Sequence, residues 1–214
     1  MSNRYWTSDN HFNHANIARY YNRPQIKPGD LDEQGNWSSA EIATLRAEQM
    51  NAMLIRNANG RVKMDDRVIC VGDFACKGGE KGVKGLHIPA AEILKSLNGK
   101  WTIVEGNHDD NNGVKADCEF MTASLGKLRI AVRHRPLMDE GMKGKMHPKA
   151  YDIEMDTSEY CRRTVDVVIC GHVHNAWHTK KIAGLWHVNV GVDVNRYMPI
   201  NDMELLNIIG KIEK

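Results

Sequence analysis

Five short runs rich in β-branched and aromatic residues recur along the chain: RYWTS (4–8), RVICVGD (67–73), KWTIVEG (100–106), LRIAVRH (128–134) and VDVVICG (165–171). Most end in Gly, Asp or His, residues that bound strands. A sixth run, LWHVNVGVD (185–193), alternates. It places Trp186, Val188, Val190 and Val192 on one face and His187, Asn189 and Asp193 on the other. Helical patterns fall between the runs. Ser38-Ser39-Ala40-Glu41 reads as a capping box opening a helix to about Asn57, with Ile42, Leu45, Met50, Met53 and Leu54 as its apolar stripe. PAAEILKSLNG (89–99) reads as a shorter helix, with Pro89 in its first turn and Gly99 past its end. Strands alternating with helices constrain the chain to an α/β layered fold.

At 214 residues, one domain over 1–214 is expected. A net charge of +2 disfavours a nucleic-acid or anionic-membrane partner without excluding nucleic acid. No apolar run approaches the ~20 residues of a spanning helix. The start, MSNRYWTSDN, lacks the basic and apolar regions of a secretory signal. The five cysteines include no C-x-x-C pair, which suits reduced thiols, and a cytoplasmic location is expected. Two polar stretches read as loops. Residues 77–85 (KGGEKGVKG) lack the G-K-[ST] of a phosphate loop, and residues 139–159 are long enough for a lid. Lys211 to Lys214 reads as a solvated tail.

The residues at the ends of the strand runs carry the chemistry. The endings are Ser8-Asp9-Asn10-His11, Gly72-Asp73, Gly106-Asn107-His108-Asp109, His134-Arg135-Pro136 and Gly171-His172-Val173-His174. Ligands gather outside the carboxyl ends of strands in α/β sheets. These endings therefore converge from segments far apart in the chain. In an extended backbone His172 and His174 lie on one side, roughly 6–7 Å apart, within reach of one ion or of two side by side. Imidazole nitrogen mixed with carboxylate or amide oxygen suits Mn, Fe, Zn or Ni. Seven such ligands are too many for one catalytic zinc and right for two ions clamping an in-line displacement. Gly72, Gly106 and Gly171 stand just before a candidate ligand, where a missing Cβ permits close approach.

D-x-H, G-D, G-N-H-D, H-x-P and G-H-x-H, in that order over residues 9 to 174, resemble the calcineurin-like metallophosphoesterase family. TSDNHFNHANIARYYNRP and NVGVDV further resemble a small bacterial and phage subgroup of predicted phosphoesterases. The resemblance implies a four-layer αββα sandwich of two mixed sheets flanked by helices. It implies two divalent ions, Mn2+ foremost, with Fe, Zn or Ni as alternatives. Asp9, His11, Asp73 and His174 would hold the first ion. Asp73 would bridge to the second, held also by Asn107, His134 and His172. His108 would face the substrate phosphate, with Asp109 orienting its ring.

The implied activity is hydrolysis of a phosphodiester or phosphomonoester, of a nucleotide or other small ester, by a hydroxide bridging the two ions. Gly72-Asp73 continues as Phe74-Ala75-Cys76-Lys77 and the third motif ends in Asp109, unlike the G-D-x-x-D-R-G and G-N-H-E of phosphoprotein phosphatases. A nuclease or nucleic-acid phosphatase and an inactive metal-binding scaffold are the competing readings. His108, lost in scaffold members, is present here. Outside the motifs, His14 and Arg23 are candidate phosphate contacts, with a surface histidine and a structural salt bridge as their alternatives. His87, His147, His178 and His187 read as surface or partly buried histidines, and Trp177 and Tyr197 as core or rim packing.

Overall fold

The computed structural model describes residues 2–76, 88–109, 113–138, 144 and 148–212. One sheet has the order β3-β2-β1-β9, built from Lys100–Val104, Arg67–Val71, Arg4–Thr7 and Ile200–Asn201. The first three strands are parallel and β9 is antiparallel to β1. The other sheet has the order β4-β5-β6-β8-β7, from Met121–Leu125, Leu128–Val132, Val167–Cys170, Leu185–Asn189 and Thr179–Ile182. Its centre, β5-β6-β8, is parallel, and both outer pairs are antiparallel.

Alternation along the strands builds the layers. Ile69, Val71, Ile130, Val132, Val167, Ile169 and Val188 point into one shared core between the sheets, with Trp6 and Val104. The intervening residues face outward. Cys70 and Ile103 pack under helices α1 (Ala15–Tyr20), α2 (Ala40–Asn59) and α3 (Ala90–Ser96). Ala131 and Val168 pack with Cys161 of α4 (Pro148–Thr164). α5 (Asp202–Ile212) sends Leu205 and Ile209 into the inter-sheet core. The result is a helix–sheet–sheet–helix sandwich, as the family resemblance implies.

Several local expectations need correction. The cap of α2 is Ser39, whose hydroxyl accepts from the Ile42 amide at 3.2 Å, not Ser38. Its buried stripe is Ala43, Ala47, Met50, Leu54 and Ala58, while Leu45 is exposed. Small alanines let the helix lie close to its neighbours, and the larger apolar side chains beside them mislead the pattern. Residues 148–159, expected in a lid loop, belong to α4. Its inward positions include Ser158 and Cys161, three apart, so the stripe looks polar in sequence. Lys211 lies in the last turn of α5 rather than starting a tail. That helix opens with a reciprocal cap, Asn201 and Glu204 exchanging side-chain-to-amide bonds of 2.8 and 2.9 Å. Residues 77–85, His87 and His147 lie outside the described residues, as does most of 139–147.

His187, expected to be a surface or partly buried residue, is fully buried. Nδ1 donates to the Leu185 carbonyl at 3.1 Å and Nε2 accepts from the Leu137 amide at 3.2 Å. Both contacts suit the neutral ring, and burial pushes its pKa down to about 4. The unfolded ring titrates near 6.5, so this contribution is whole above that pH and is lost as pH falls toward 4. The full amount is about 3 kcal/mol. In urea unfolding of metal-stripped protein, His187→Gln should remove that part of the acid-side loss. Equal pH slopes for variant and wild type would sink the assignment.

Candidate metal centre

The loops beyond the strands continue the pairing of the strands. Beyond β1 and β2, the amides of Asp9, His11 and Phe12 donate to the carbonyls of Gly72, Asp73 and Phe74 at 3.0–3.1 Å. Beyond β5 and β6, the Gly171 amide donates to the His134 carbonyl at 2.9 Å. A bridge between Ser8 and Gly191 joins the two sheets at this same end. Asp9, His11, Asp73, His172 and His174 all adopt left-handed backbone, with φ of 55°, 49°, 53°, 71° and 46°. Such residues cost about 1–3 kcal/mol each and persist where the surroundings impose them. Asp and His tolerate the region better than branched residues. Here the turn brings neighbouring side chains to a common point.

Two clusters result. Ligand-type atoms of Asp9, His11 and His174 lie within 4.8 Å of one another, as do those of Asp73, His134 and His172. Asp73 stands between the clusters. One carboxylate oxygen, Oδ2, is 3.4 Å from His11 Nε2 and 3.2 Å from His134 Nε2. The His134 ring is oriented by Nδ1 donating to the Val71 carbonyl at 2.8 Å. His174 Nδ1 likewise donates to Asp193 Oδ2 at 2.7 Å, with Nε2 3.9 Å from Asp9 Oδ1. A neutral ring donating through Nδ1 presents a lone pair at Nε2. Ring nitrogens thus face carboxylate oxygens across a buried gap, an arrangement that a bound cation would satisfy. The Nε2 atoms of His11 and His134 are buried without a hydrogen-bond partner. The donor set therefore fits divalent ions that favour imidazole and carboxylate.

Electrostatics point the same way. Burial raises the Asp9 pKa, although His134 and His174 oppose it. Burial also works on Asp73, but the nearby His134 outweighs it and holds the carboxyl below its usual range. The His134 pKa is in turn raised against burial by Asp73 and Asp9. Burial pushes His11 well below the ordinary imidazole value, and pushes His14 and His172 down to about 4. These rings are free bases at neutral pH, as ligands must be.

The remaining predicted residues fall differently. Asn107 is exposed and lines a cleft of about 500 Å³ beside His134, together with Glu119, Phe120, Arg133 and Arg135. His108 is exposed, its amide donates to Asp73 Oδ1 at 2.8 Å, and its ring meets His11 edge-on at 5.0 Å. Asp109 takes a part that its place in the motif does not announce. Its carboxylate accepts the amides of Asp73, Phe74 and Gly106 at 2.8–2.9 Å, tying the end of β2 to the end of β3. His14 is buried beside His11 and His108, with ring centroids 5.5 and 5.8 Å away, and is not a surface residue. Two glycines permit the close approach. A Cβ on Gly106 would lie 2.2 Å from the Asp73 amide, and one on Gly171 would lie 2.5 Å from Asp9 Oδ2.

Arg23 is not a substrate contact. It is fully buried, and all five of its N–H groups are engaged. Nε and Nη2 fork onto Asp193 at 2.9 and 3.0 Å, Nη2 also reaches the Asp9 carbonyl, and Nη1 reaches the Asn10 carbonyl and the Met50 sulfur. Asp193 is the functional residue missed in sequence. Burial opposes its ionisation, yet His174 and Arg23 hold its pKa below the ordinary value. The chain Arg23–Asp193–His174 fixes the tautomer and direction of a candidate ligand. Its signal was the aspartate in NVGVDV on the face opposite the valines.

Residues 50–199 match the model of the calcineurin-like phosphoesterase superfamily domain, and the chain belongs to that superfamily. An uncharacterized protein of Methanocaldococcus jannaschii is 27% identical over 215 residues, covering 99% of this chain and 93% of the relative. The crystal structure of a protein of unknown function from Aquifex aeolicus shares the fold. Its TM-score is 0.62 at 22% identity, covering 97% of this chain and all of that one.

Asp193→Ala should leave the buried Arg23 cation uncompensated and destabilise the protein by about 3–5 kcal/mol. It should also weaken divalent-ion binding by about 10- to 100-fold through His174. Urea unfolding and Mn2+ calorimetry read the two effects. An unchanged ion affinity would show that Asp193 serves the fold alone.

Proposed function

We propose that the chain is a binuclear metal-dependent phosphoesterase that hydrolyses a phosphodiester or phosphomonoester of a nucleotide or similar small molecule. The observation that carries this is the single oxygen of Asp73 lying between His11 Nε2 and His134 Nε2, one from each cluster. Asp9, His11, His174 and Asp73 would hold one ion, and Asp73, His134, His172 and Asn107 the other, with Mn2+ as the foremost metal. Two such ions supply Lewis acidity toward phosphoryl oxygens and acidify water, the chemistry of in-line displacement at phosphorus.

The protein groups have separate parts. Asp109 holds the backbone that carries Asp73, so the carboxylate meets both imidazole sets in one geometry. Asp193 keeps the His174 Nδ1 proton and so keeps Nε2 free. His108 and His14 face the phosphate. The exposed His108 ring protonates the departing oxygen or stabilises its charge. The cleft beside His134 receives the alcohol portion of the ester. Within it Glu154 of α4 pairs with Arg133, Arg135 stands open to an anionic group, and Phe120 offers a ring for packing.

The test uses bis-p-nitrophenyl phosphate and p-nitrophenyl phosphate, with metal-stripped protein refilled with Mn2+, Ni2+, Zn2+ or Fe2+. Turnover should need the ion and vanish in Asp73→Ala. His108→Asn should lower kcat by about 10²- to 10⁴-fold on an alkyl ester, and far less on p-nitrophenyl esters, whose leaving group needs no proton. Equal losses on both would remove His108 from proton transfer. No turnover with any ion would sink the hydrolase reading.

A further inference from the structure

His11 is two-sided. Its Nε2 points at Asp73, while its Nδ1 lies 4.0 Å from the sulfur of Cys76. Around that second side is another group of ligand-type atoms. Those of His11, His14, Cys76 and His108 lie within 4.8 Å of one another. They arrive from three segments. His14 stands just before α1, and Cys76 follows β2 with its amide bonded to the Phe12 carbonyl at 2.9 Å. His108 follows β3. The His11, His14 and His108 rings meet one another edge to face rather than stacked. The clusters around Asp9 and Asp73 contain no sulfur, and among the described residues no other cysteine stands in such a group.

We infer that His14, Cys76 and His108 form a third divalent-ion site, ligated by a thiolate and suited to Zn2+ or Co2+. One thiolate and two imidazoles with an open fourth position make a familiar tetrahedral set, with metal–sulfur and metal–nitrogen distances of ~2.3 and ~2.0–2.1 Å. Ligand atoms in such a set are ~3.5 Å apart, so a group already within 4.8 Å closes by small side-chain rotations. Binding releases the Cys76 thiol proton to solvent, and the imidazoles enter as free bases. The Nδ1 proton of His11 then faces the sulfur and donates to it, which strengthens the orientation of Nε2 toward Asp73.

The functional consequence rests on the phosphoesterase reading. The two imidazoles that face the phosphate are the ones this ion captures. Its binding takes His108 out of proton transfer and closes the phosphate-facing side, so the site is inhibitory. An excess of a thiophilic ion switches the enzyme off, while Mn2+, with little affinity for thiolate, leaves it on.

Titration of metal-stripped full-length protein with Co2+ decides the matter by absorption. The expected result is three equivalents bound and thiolate-to-cobalt charge-transfer absorption in the near ultraviolet. Cys76→Ser should bind two equivalents and lack that absorption, and His14→Gln should weaken the same event by tenfold or more. Saturation at two equivalents without the absorption would overturn the site, as would absorption persisting in Cys76→Ser. Turnover of bis-p-nitrophenyl phosphate in Mn2+ with added Zn2+ tests the consequence. Wild type should be inhibited and Cys76→Ser should resist, and equal inhibition would overturn the regulatory role. Absence of turnover throughout would sink the hydrolase reading and leave the spectroscopic answer standing.

Discussion

The buried Asp73 carboxylate oxygen stands 3.4 and 3.2 Å from two imidazole nitrogens, one from each cluster, and needs donor or cation contacts there to offset its burial. That requirement at Asp73 Oδ2 organises everything around it. The neighbouring His134 holds the carboxyl below its usual range, and a divalent ion would meet the same requirement.

Holding that oxygen in place draws on the backbone as much as on side chains. Five left-handed residues turn the loops inward, and the strand pairing continues past the strands proper to keep them there. Asp109 binds three amides to set the Asp73 loop against the Gly106 loop. Arg23 spends its whole hydrogen-bonding capacity on Asp193, the Met50 sulfur and the carbonyls of Asp9 and Asn10, so a buried cation lies just behind the first cluster. The space beside Gly106 is taken by Asp73, and that beside Gly171 by Ser8 and Asp9.

The central strands and the residues at their ends were legible because both signals are local. A run such as RVICV must be buried on both faces, and Asp or His after it has little structural reason to be there. The edge strands β4 and β7 alternate with solvent and carry no such run, and β9 is two residues long. The six-residue α1 has no side-chain cap to announce it. α4 was hidden by the serine and cysteine on its inward face. The role of Arg23 was undecidable in sequence, since a forked pair with Asp193 joins residues 170 apart. Asp193 itself could be placed on a face but not given a partner. His187 looked peripheral because its polar ring is satisfied only by backbone groups that sequence does not display.

Each cluster takes donors from both sheets. Asp9, His11 and Asp73 follow β1 and β2, whereas His134, His172 and His174 follow β5 and β6. Neither half of the sandwich can preassemble either of these two clusters by itself, so they exist only once the two sheets have docked. An ion seated in either of these clusters would therefore act as a rivet through the sandwich at its open end, opposing any sliding of one sheet across the other. By mass action its affinity adds directly to the resistance of the whole molecule to unfolding.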